Sequence, residues 1–313
     1  MLTTLANTSE TTIGGRPVSA AEVHKLDASE VLLRDWQQVG ADRFSISAHW
    51  PAHHRFYAGA HGCRDALMLV ECIRQSIPLL CHSAYDAPFG FRQAWENLHF
   101  TIEPSMLAGA DTPVTMQLDV TCSDVIRRGT RVGGMTMTVQ ASWHGLPSAY
   151  VRTKFNNQSP AVYQRLRGEN GDMARAHARA LPPGPPVAPE LVGRHSGSDV
   201  VLSPAPEPGA DHWFLRTDLG HPLLFDHPVD HAPGMLLLEA ARQAALARSP
   251  RRASVIGMTT RFIRYAEFDV PCRVSAVPLA AGADSRKGTQ VVQVTLDQNG
   301  RPVFTADVTT ASV

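Results

Sequence analysis

At 313 residues the chain is longer than an ordinary single domain, and a prior of roughly 150 residues per domain predicts two. Hydrophobic residues make up 43% and charged residues 19%, which excludes a disordered or fibrous chain, and a formal net charge of zero excludes a global field drawing it to nucleic acid or an anionic membrane. Five cysteines, an odd number, argue against a secreted disulfide framework, and Cys63, Cys72 and Cys81 match no zinc pattern of close pairs, so no metal is expected.

The opening MLTTLANTSETTIGG has neither a basic start nor an apolar stretch, so residues 1–20 read as a flexible segment rather than a signal peptide or anchor. No apolar run is long enough to span a bilayer, and a cytoplasmic location is the expectation. From there the chain says the same thing twice. In residues 21–156, HKLDASEVLL is followed by DRFSISAHW and then by HRFYAGAHGCRDALMLVECIRQS. In residues 195–313, HSGSDVVLS is followed by DHWFLRTDLGH and then by FDHPVDHAPGMLLLEAARQAA.

Each copy carries one apolar helix with the same charged insertion, Glu71-x-x-Arg74-Gln75 in the first and Glu239-x-x-Arg242-Gln243 in the second. Alternating strand patterns follow each helix: Leu98 to Ile102, Thr115 to Thr121, Gly134 to Trp143 and Ala149 to Phe155 in the first copy. In the second they run Thr260 to Tyr265, Cys272 to Val277, Gln290 to Leu296 and Val303 to Val308. A strand, a helix and then a run of antiparallel strands is an α+β order that disfavours a parallel nucleotide-binding sheet. Between the copies, residues 157–194 contain LPPGPPVAPE and read as a stiff linker with a short helix near Ala161 to Arg167.

An antiparallel sheet wrapped around one apolar helix describes the hot-dog fold, and HPVDHAPGMLLLEAARQ is similar to the motif of the A-factor (gamma-butyrolactone) synthase family. HRFY followed by the ECIRQ helix extends the resemblance to the first copy, so that it covers nearly the whole chain except the linker. It implies a tandem, or double, hot-dog forming a pseudo-dimer within one chain, with a homodimer left open. It also implies an acyltransferase that esterifies a β-ketoacyl group from acyl carrier protein onto the hydroxyl of dihydroxyacetone phosphate, on the way to a butenolide or gamma-butyrolactone signal. The implied partners are the loaded acyl carrier protein and a small phosphorylated alcohol. No cofactor of its own is implied, because the phosphopantetheine arrives on the carrier.

The residues supply an apparatus that suits such chemistry. Burial in MLLLEAA raises the pKa of Glu239 towards that of a usable base, while Arg242 on a neighbouring part of the same helical face opposes the rise. Two readings stand open: Glu239 deprotonates the attacking hydroxyl while Arg242 holds phosphate or orients the carboxylate, or the two form a buried ion pair that fixes helix packing. Glu71 and Arg74 repeat the arrangement as a second catalytic or anion-anchoring pair. Gly234 and Met235, after Pro233, offer helix-start amides to a thioester oxyanion or merely begin a helix.

Hot-dog dehydratases carry a histidine fourteen residues before the helix glutamate, where this chain has Phe225 and Tyr57, so dehydration is disfavoured. His227, Asp230 and His231 remain nearby as ligand-binding candidates, with His227 or His231 a possible acid to the leaving thiolate. No Ser stands in a nucleophile elbow, which leaves direct transfer as the simpler course. Arg127, Arg128 and Arg131, and Arg248, Arg251 and Arg252, form two basic clusters suited to an acidic carrier or to plain solvation. The rival functions are a thioesterase, with water as the nucleophile, and a non-catalytic acyl- or lactone-binding regulator.

Overall fold

The computed structural model describes residues 15–59, 62–129, 131–207, 210–249, 252–280 and 288–312. The first copy comprises β1 (Arg16–Pro17), β2 (Leu33–Gly40), β3 (Arg43–Trp50), α1 (Leu67–Ser83), β4 (Arg92–Ile102), β5 (Val114–Arg128), β6 (Arg131–Trp143) and β7 (Leu146–Gln158). The connector folds into α2 (Pro160–Arg167) and α3 (Met173–Ala178). The second copy comprises β8 (Leu202–Pro204), β9 (His212–Leu215), α4 (Gly234–Ala247), β10 (Ala253–Phe262), β11 (Arg273–Pro278), β12 (Thr289–Gln298) and β13 (Arg301–Ser312). Among the described residues no helix is long and apolar enough to cross a membrane.

All strands belong to one antiparallel sheet in the order β1-β2-β3-β5-β6-β7-β4-β10-β13-β12-β11-β9-β8. Read outward from the centre, β4-β7-β6-β5-β3-β2 is answered by β10-β13-β12-β11-β9-β8, which is the twofold repetition that the sequence carries. The halves meet where β4 pairs with β10, Leu98 opposite Thr260 and Phe100 opposite Met258. Two edges that would otherwise lie open thereby close on each other.

The helices are buried because both are apolar around most of their circumference. In α1 every residue except Arg74, His82 and Ser83 is buried, and α4 is buried from Met235 to Ala245. Such a helix needs cover on all sides, and the concave sheet and the other copy's helix provide it. The fold is the α+β double hot-dog that the sequence implies.

Two boundaries differ from expectation. The strand expected at Thr260 to Tyr265 is β10, which starts earlier, at Ala253, and ends at Phe262. A register break between Val255 and Gly257 interrupts the alternation there and hides the start of the strand. Arg16 and Pro17, within the segment read as flexible, pair with Trp36 and Asp35 of β2, while residues 1–14 lie outside the described chain.

Candidate functional site: one locked and one open glutamate–arginine pair

The helix glutamates sit in matching frames. Gln75 accepts from the Leu32 amide and donates to the Glu30 carbonyl and to Glu71 Oε1. Gln243 accepts from the Val201 amide and donates to the Asp199 carbonyl and to Glu239 Oε1. Ahead of each helix a histidine organises a turn: His54 Nδ1 accepts from the Phe56 and Tyr57 amides, and His221 Nδ1 from those of Leu223 and Leu224. Lys25 meets Glu71 at 3.1 Å, and Arg194 takes the corresponding place against Glu239.

The Glu239 site is closed. Its carboxylate accepts from Arg194 Nε at 2.8 Å and Nη2 at 2.5 Å, from Arg242 Nε and Nη2 at 2.9 Å, and from Gln243 Nε2 at 2.5 Å. Asp65, from the loop ahead of α1, adds ionic contacts of 3.1 Å to Arg194 and 3.2 Å to Arg242. Arg194 also donates to the Phe56 carbonyl and Arg242 to that of Val192. Side-chain exposure is 0% for Glu239, 1% for Arg194, 2% for Asp65 and 4% for Arg242, so two acids and two guanidiniums neutralise each other out of reach of water. Burial by itself raises the pKa of Glu239, but Arg194 and Arg242 outweigh it and hold the group at about 2. A carboxylate with that pKa and five donors on it is a poor proton acceptor at neutral pH, and the Arg242 side chain is buried with it, 4% exposed. The geometry therefore favours the packing reading of this pair, because the first copy supplies Asp65 and the connector supplies Arg194.

The Glu71 site differs on its outer side. Arg74 grips Glu71 through Nε and Nη2, both at 2.8 Å, yet its side chain remains 23% exposed. Arg74 and Lys25 outweigh the burial effect and hold Glu71 at about 2. In α1, Asp65 caps the helix by accepting from the Leu67 amide at 3.0 Å, whereas the position six residues before Glu239 is Pro233. Pro233 has no polar group to cap α4 or to bind Arg74, so at this position the second-copy loop supplies no acid placed as Asp65 is, and Asp226, earlier in that loop, is the acid that acts on Arg74. Gly234 tucks so closely under Trp95 that an added Cβ would lie 2.7 Å from the ring, which accounts for glycine there.

The second-copy loop reaches this open side. Asp226 Oδ2 accepts from the Leu26 amide at 3.0 Å, next to Lys25, and lies 3.5 Å from His227 Nδ1. His227 is 42% exposed. Desolvation lowers its pKa, Arg74 and Arg92 lower it further, and Asp226 opposes them. His24 beside it is lowered to about 4 by burial, His82, Arg74, His227 and Arg92, and its Nε2 lies 2.8 Å from His82 Nε2. Asp226 thus brings His227 to the side of the molecule where Lys25 meets Glu71.

Asp230 and His231 lie at a separate anchor. Asp230 is buried, accepting from Tyr163 Oη at 2.5 Å and from Arg167 Nε at 3.1 Å, with His231 Nδ1 at 2.9 Å. Burial raises its pKa, but His231, Tyr163 and Arg167 pull it below the usual carboxylate range. Arg167 also holds Glu267 at 2.6 and 2.9 Å, so α2 is latched to the loop ahead of α4 through Asp230 and to the segment between β10 and β11 through Glu267. Of the basic residues, Arg127, Arg128 and Arg131 are exposed, Arg248 lies over the Trp213 ring, and Arg251 falls outside the described residues. Cys72 accepts from the Trp50 indole, and burial pushes its thiol up to about 12.

Sequence reading passed over Lys25, Asp65, Arg92, Tyr163, Arg167 and Arg194. The signal for two of them was present: Lys25 and Arg194 stand at equivalent distances ahead of their glutamates, 46 and 45 residues.

The family described as A-factor biosynthesis hotdog domain matches residues 7–157 and again residues 176–313. The chain belongs to this family. Among curated relatives, a 2-oxo-3-(phosphooxy)propyl 3-oxoalkanoate synthase of Streptomyces virginiae is 42% identical over 283 residues, covering 90% of this chain and 93% of that one. The protein of the same description from Streptomyces griseus is 36% identical over 292 residues, 92% of this chain and 93% of its own. In three dimensions the chain resembles a Lactobacillus plantarum protein described as an oleoyl thioesterase, with a TM-score of 0.51 at 10% identity over 88% of this chain and 99% of that one. That likeness bears on the fold alone.

Proposed function

We propose that this protein is a 2-oxo-3-(phosphooxy)propyl 3-oxoalkanoate synthase: it transfers a β-ketoacyl group from the thioester of acyl carrier protein to the hydroxyl of dihydroxyacetone phosphate. The 42% identity to the Streptomyces virginiae synthase across nine-tenths of the chain is the observation that carries this reading, and the solvent-touching side of the Glu71–Arg74 pair supports it. The hydroxyl oxygen bonds to the thioester carbonyl carbon, the C–S bond breaks, and the carrier thiol departs with the proton that the hydroxyl gave up.

His227 is the group we assign to that proton. Its lowered pKa leaves the imidazole neutral at pH 7, and with Nδ1 on the Asp226 side, Nε2 is the nitrogen that takes the proton. The uncapped first amides of α4, at Gly234 and Met235, receive the oxyanion, helped by the helix dipole. Glu71 positions Arg74, and the Glu239 set holds the opposite side of the pseudo-dimer rigid.

The test is mass spectrometry of the purified protein with a 3-oxoacyl thioester and dihydroxyacetone phosphate, beside His227→Ala. A phosphorylated ester from the native chain, reduced about 100-fold or more in the variant, is the expected result for loss of a general base. Free acid with no ester would make the protein a thioesterase instead, and retained thioester without turnover would make it a binding protein.

A further inference from the structure

The connector between the copies reads in sequence as a stiff spacer, yet three of its side chains grip the residues that lead into α4. Arg167 Nε donates to Asp230 Oδ2 at 3.1 Å and Nη2 donates to the Asp230 carbonyl at 3.2 Å. The same guanidinium holds Glu267 and lies over the Tyr265 ring, 4.3 Å from its centroid. Tyr163 Oη donates to Asp230 Oδ1 at 2.5 Å, and His177 Nε2, from α3, donates to the Val229 carbonyl at 2.8 Å. His231 sets Nδ1 2.9 Å from Asp230 Oδ1 and packs its ring edge-on to Tyr265, the centroids 4.6 Å apart. The Ala232 amide donates to the Ala266 carbonyl at 2.9 Å. Four consecutive residues, Val229 to Ala232, are thus fixed directly ahead of Pro233 and the start of α4.

The first copy holds its corresponding loop differently. Nine residues before Glu239 stands Asp230, whereas nine before Glu71 stands Gly62, which has no side chain to grip. There Arg64 donates to the carbonyls of Met106, Ala108 and Thr112, and the Arg64 amide pairs with the Leu107 carbonyl as that of Ala232 pairs with Ala266. These partners all belong to the first copy, so packing such a loop does not require the connector. The clamp occurs instead ahead of the helix that has no side-chain cap on its first amides. Its central pair is buried, with side-chain exposure of 3% for Arg167 and 2% for Asp230. Burying those charges carries a desolvation cost, and a planar guanidinium satisfies a carboxylate, a backbone carbonyl and Glu267 together in one arrangement only, so what the network adds is geometric precision.

We propose that Arg167 and Tyr163 are positioning residues for acyl transfer: by fixing residues 229–232 they set where the Gly234 and Met235 amides stand against the thioester carbonyl. This inference rests on the reading of those amides as the oxyanion donors. Neither side chain touches the reacting atoms; both act through the backbone of the loop. Trp95, against which Gly234 is pressed, holds the helix start on another side. A displacement of about 1 Å from productive geometry lowers a rate on the order of 100-fold, because oxyanion donors act at hydrogen-bond distance from the charge that develops. The loss falls on the transition state and not on substrate binding, so kcat is the constant that registers it.

The experiment pairs hydrogen exchange with kinetics for the native chain, Tyr163→Phe, Arg167→Lys and Arg167→Met, each studied below its recorded thermal midpoint. The Ala232 and Leu236 amides, bonded to the Ala266 and Pro233 carbonyls, report the clamp without any turnover. Their exchange is expected to quicken about 10-fold or more in Arg167→Met, with the central strands unchanged. In ester formation kcat falls about 10- to 100-fold while the KM values for the 3-oxoacyl thioester and for dihydroxyacetone phosphate stay within about twofold. Arg167→Lys, which keeps the charge without the fork, recovers part of the rate, and Tyr163→Phe, which loses one hydroxyl, carries the measurement if Arg167→Met does not fold. Variants with a lower thermal midpoint but an unchanged kcat, or with unchanged exchange, overturn the positioning role and leave the clamp as packing. If the native chain forms no ester, the functional reading falls and the transfer role with it, and faster exchange in the variants would leave only the ordering of α4.

Discussion

Replacing Glu239 by glutamine keeps the side-chain volume and removes one charge from a group of four. The cluster of Glu239, Asp65, Arg194 and Arg242 then changes from neutral to a net single positive charge, with every side chain at most 4% exposed. Neither guanidinium can reach water, and Asp65, at 3.1 and 3.2 Å, must serve both. Breaking one partner out of a buried ion pair costs about 3–5 kcal/mol. For a chain of this length, unfolding entropy converts that to a fall in Tm of roughly 5–8 °C. Glu71→Gln should cost less, about 1–3 kcal/mol, because Arg74 already touches solvent. Urea and thermal unfolding of the two variants, followed by circular dichroism beside ester formation at a temperature where both are folded, separate the roles. A Glu239→Gln protein within about 1 kcal/mol of the native chain but devoid of activity would refute the assignment of this pair as a lock, since an effect that small is within what surface substitutions produce.

Acid should unfold the protein through the same groups. Glu71 and Glu239 are held at about 2 in the folded chain against an ordinary 4.5, so the unfolded state binds the extra protons and their stabilisation, complete above pH 4.5, disappears as pH falls towards about 2. Stability measured by denaturant between pH 6 and pH 2.5 should decline with a slope approaching two protons, and a flat profile would count against the buried ion pairs. Gly234→Ala forces a Cβ to within 2.7 Å of the Trp95 ring, and the strain is expected to destabilise by about 1–3 kcal/mol and to disturb ester formation together, read from Tm and rate. Arg167→Met removes the donor that joins Asp230 to Glu267 and leaves Asp230 short of a partner; limited proteolysis should then cut near α2 while the sheet survives, and an unchanged digest would show that the latch is not needed.

The repeated organisation was legible in the residues alone. A helix apolar on all sides except for one Glu-x-x-Arg-Gln, followed by alternating strands, occurs twice, and local periodicity of this kind is read without knowing any long-range contact. The start of α4 at Gly234, directly after Pro233, was legible for the same reason, as short-range chemistry. The start of β10 was not, because the break at Gly257 removes the period on which the reading depends.

What only tertiary structure decided is the difference between the two copies. In sequence Glu71-x-x-Arg74 and Glu239-x-x-Arg242 are interchangeable, and nothing within either helix says which is locked. The decision comes from residues far along the chain: Asp65, 174 positions before Glu239, and Arg194, 45 before it, close one site, while Pro233 in the place of Asp65 leaves the other open. Arg167 gains meaning in the same way, from Asp230, 63 residues later, and Glu267, 100 residues later. Burial and charge balance are properties of what surrounds a residue, and here those surroundings are assembled across the junction of two copies that the sequence presents as alike.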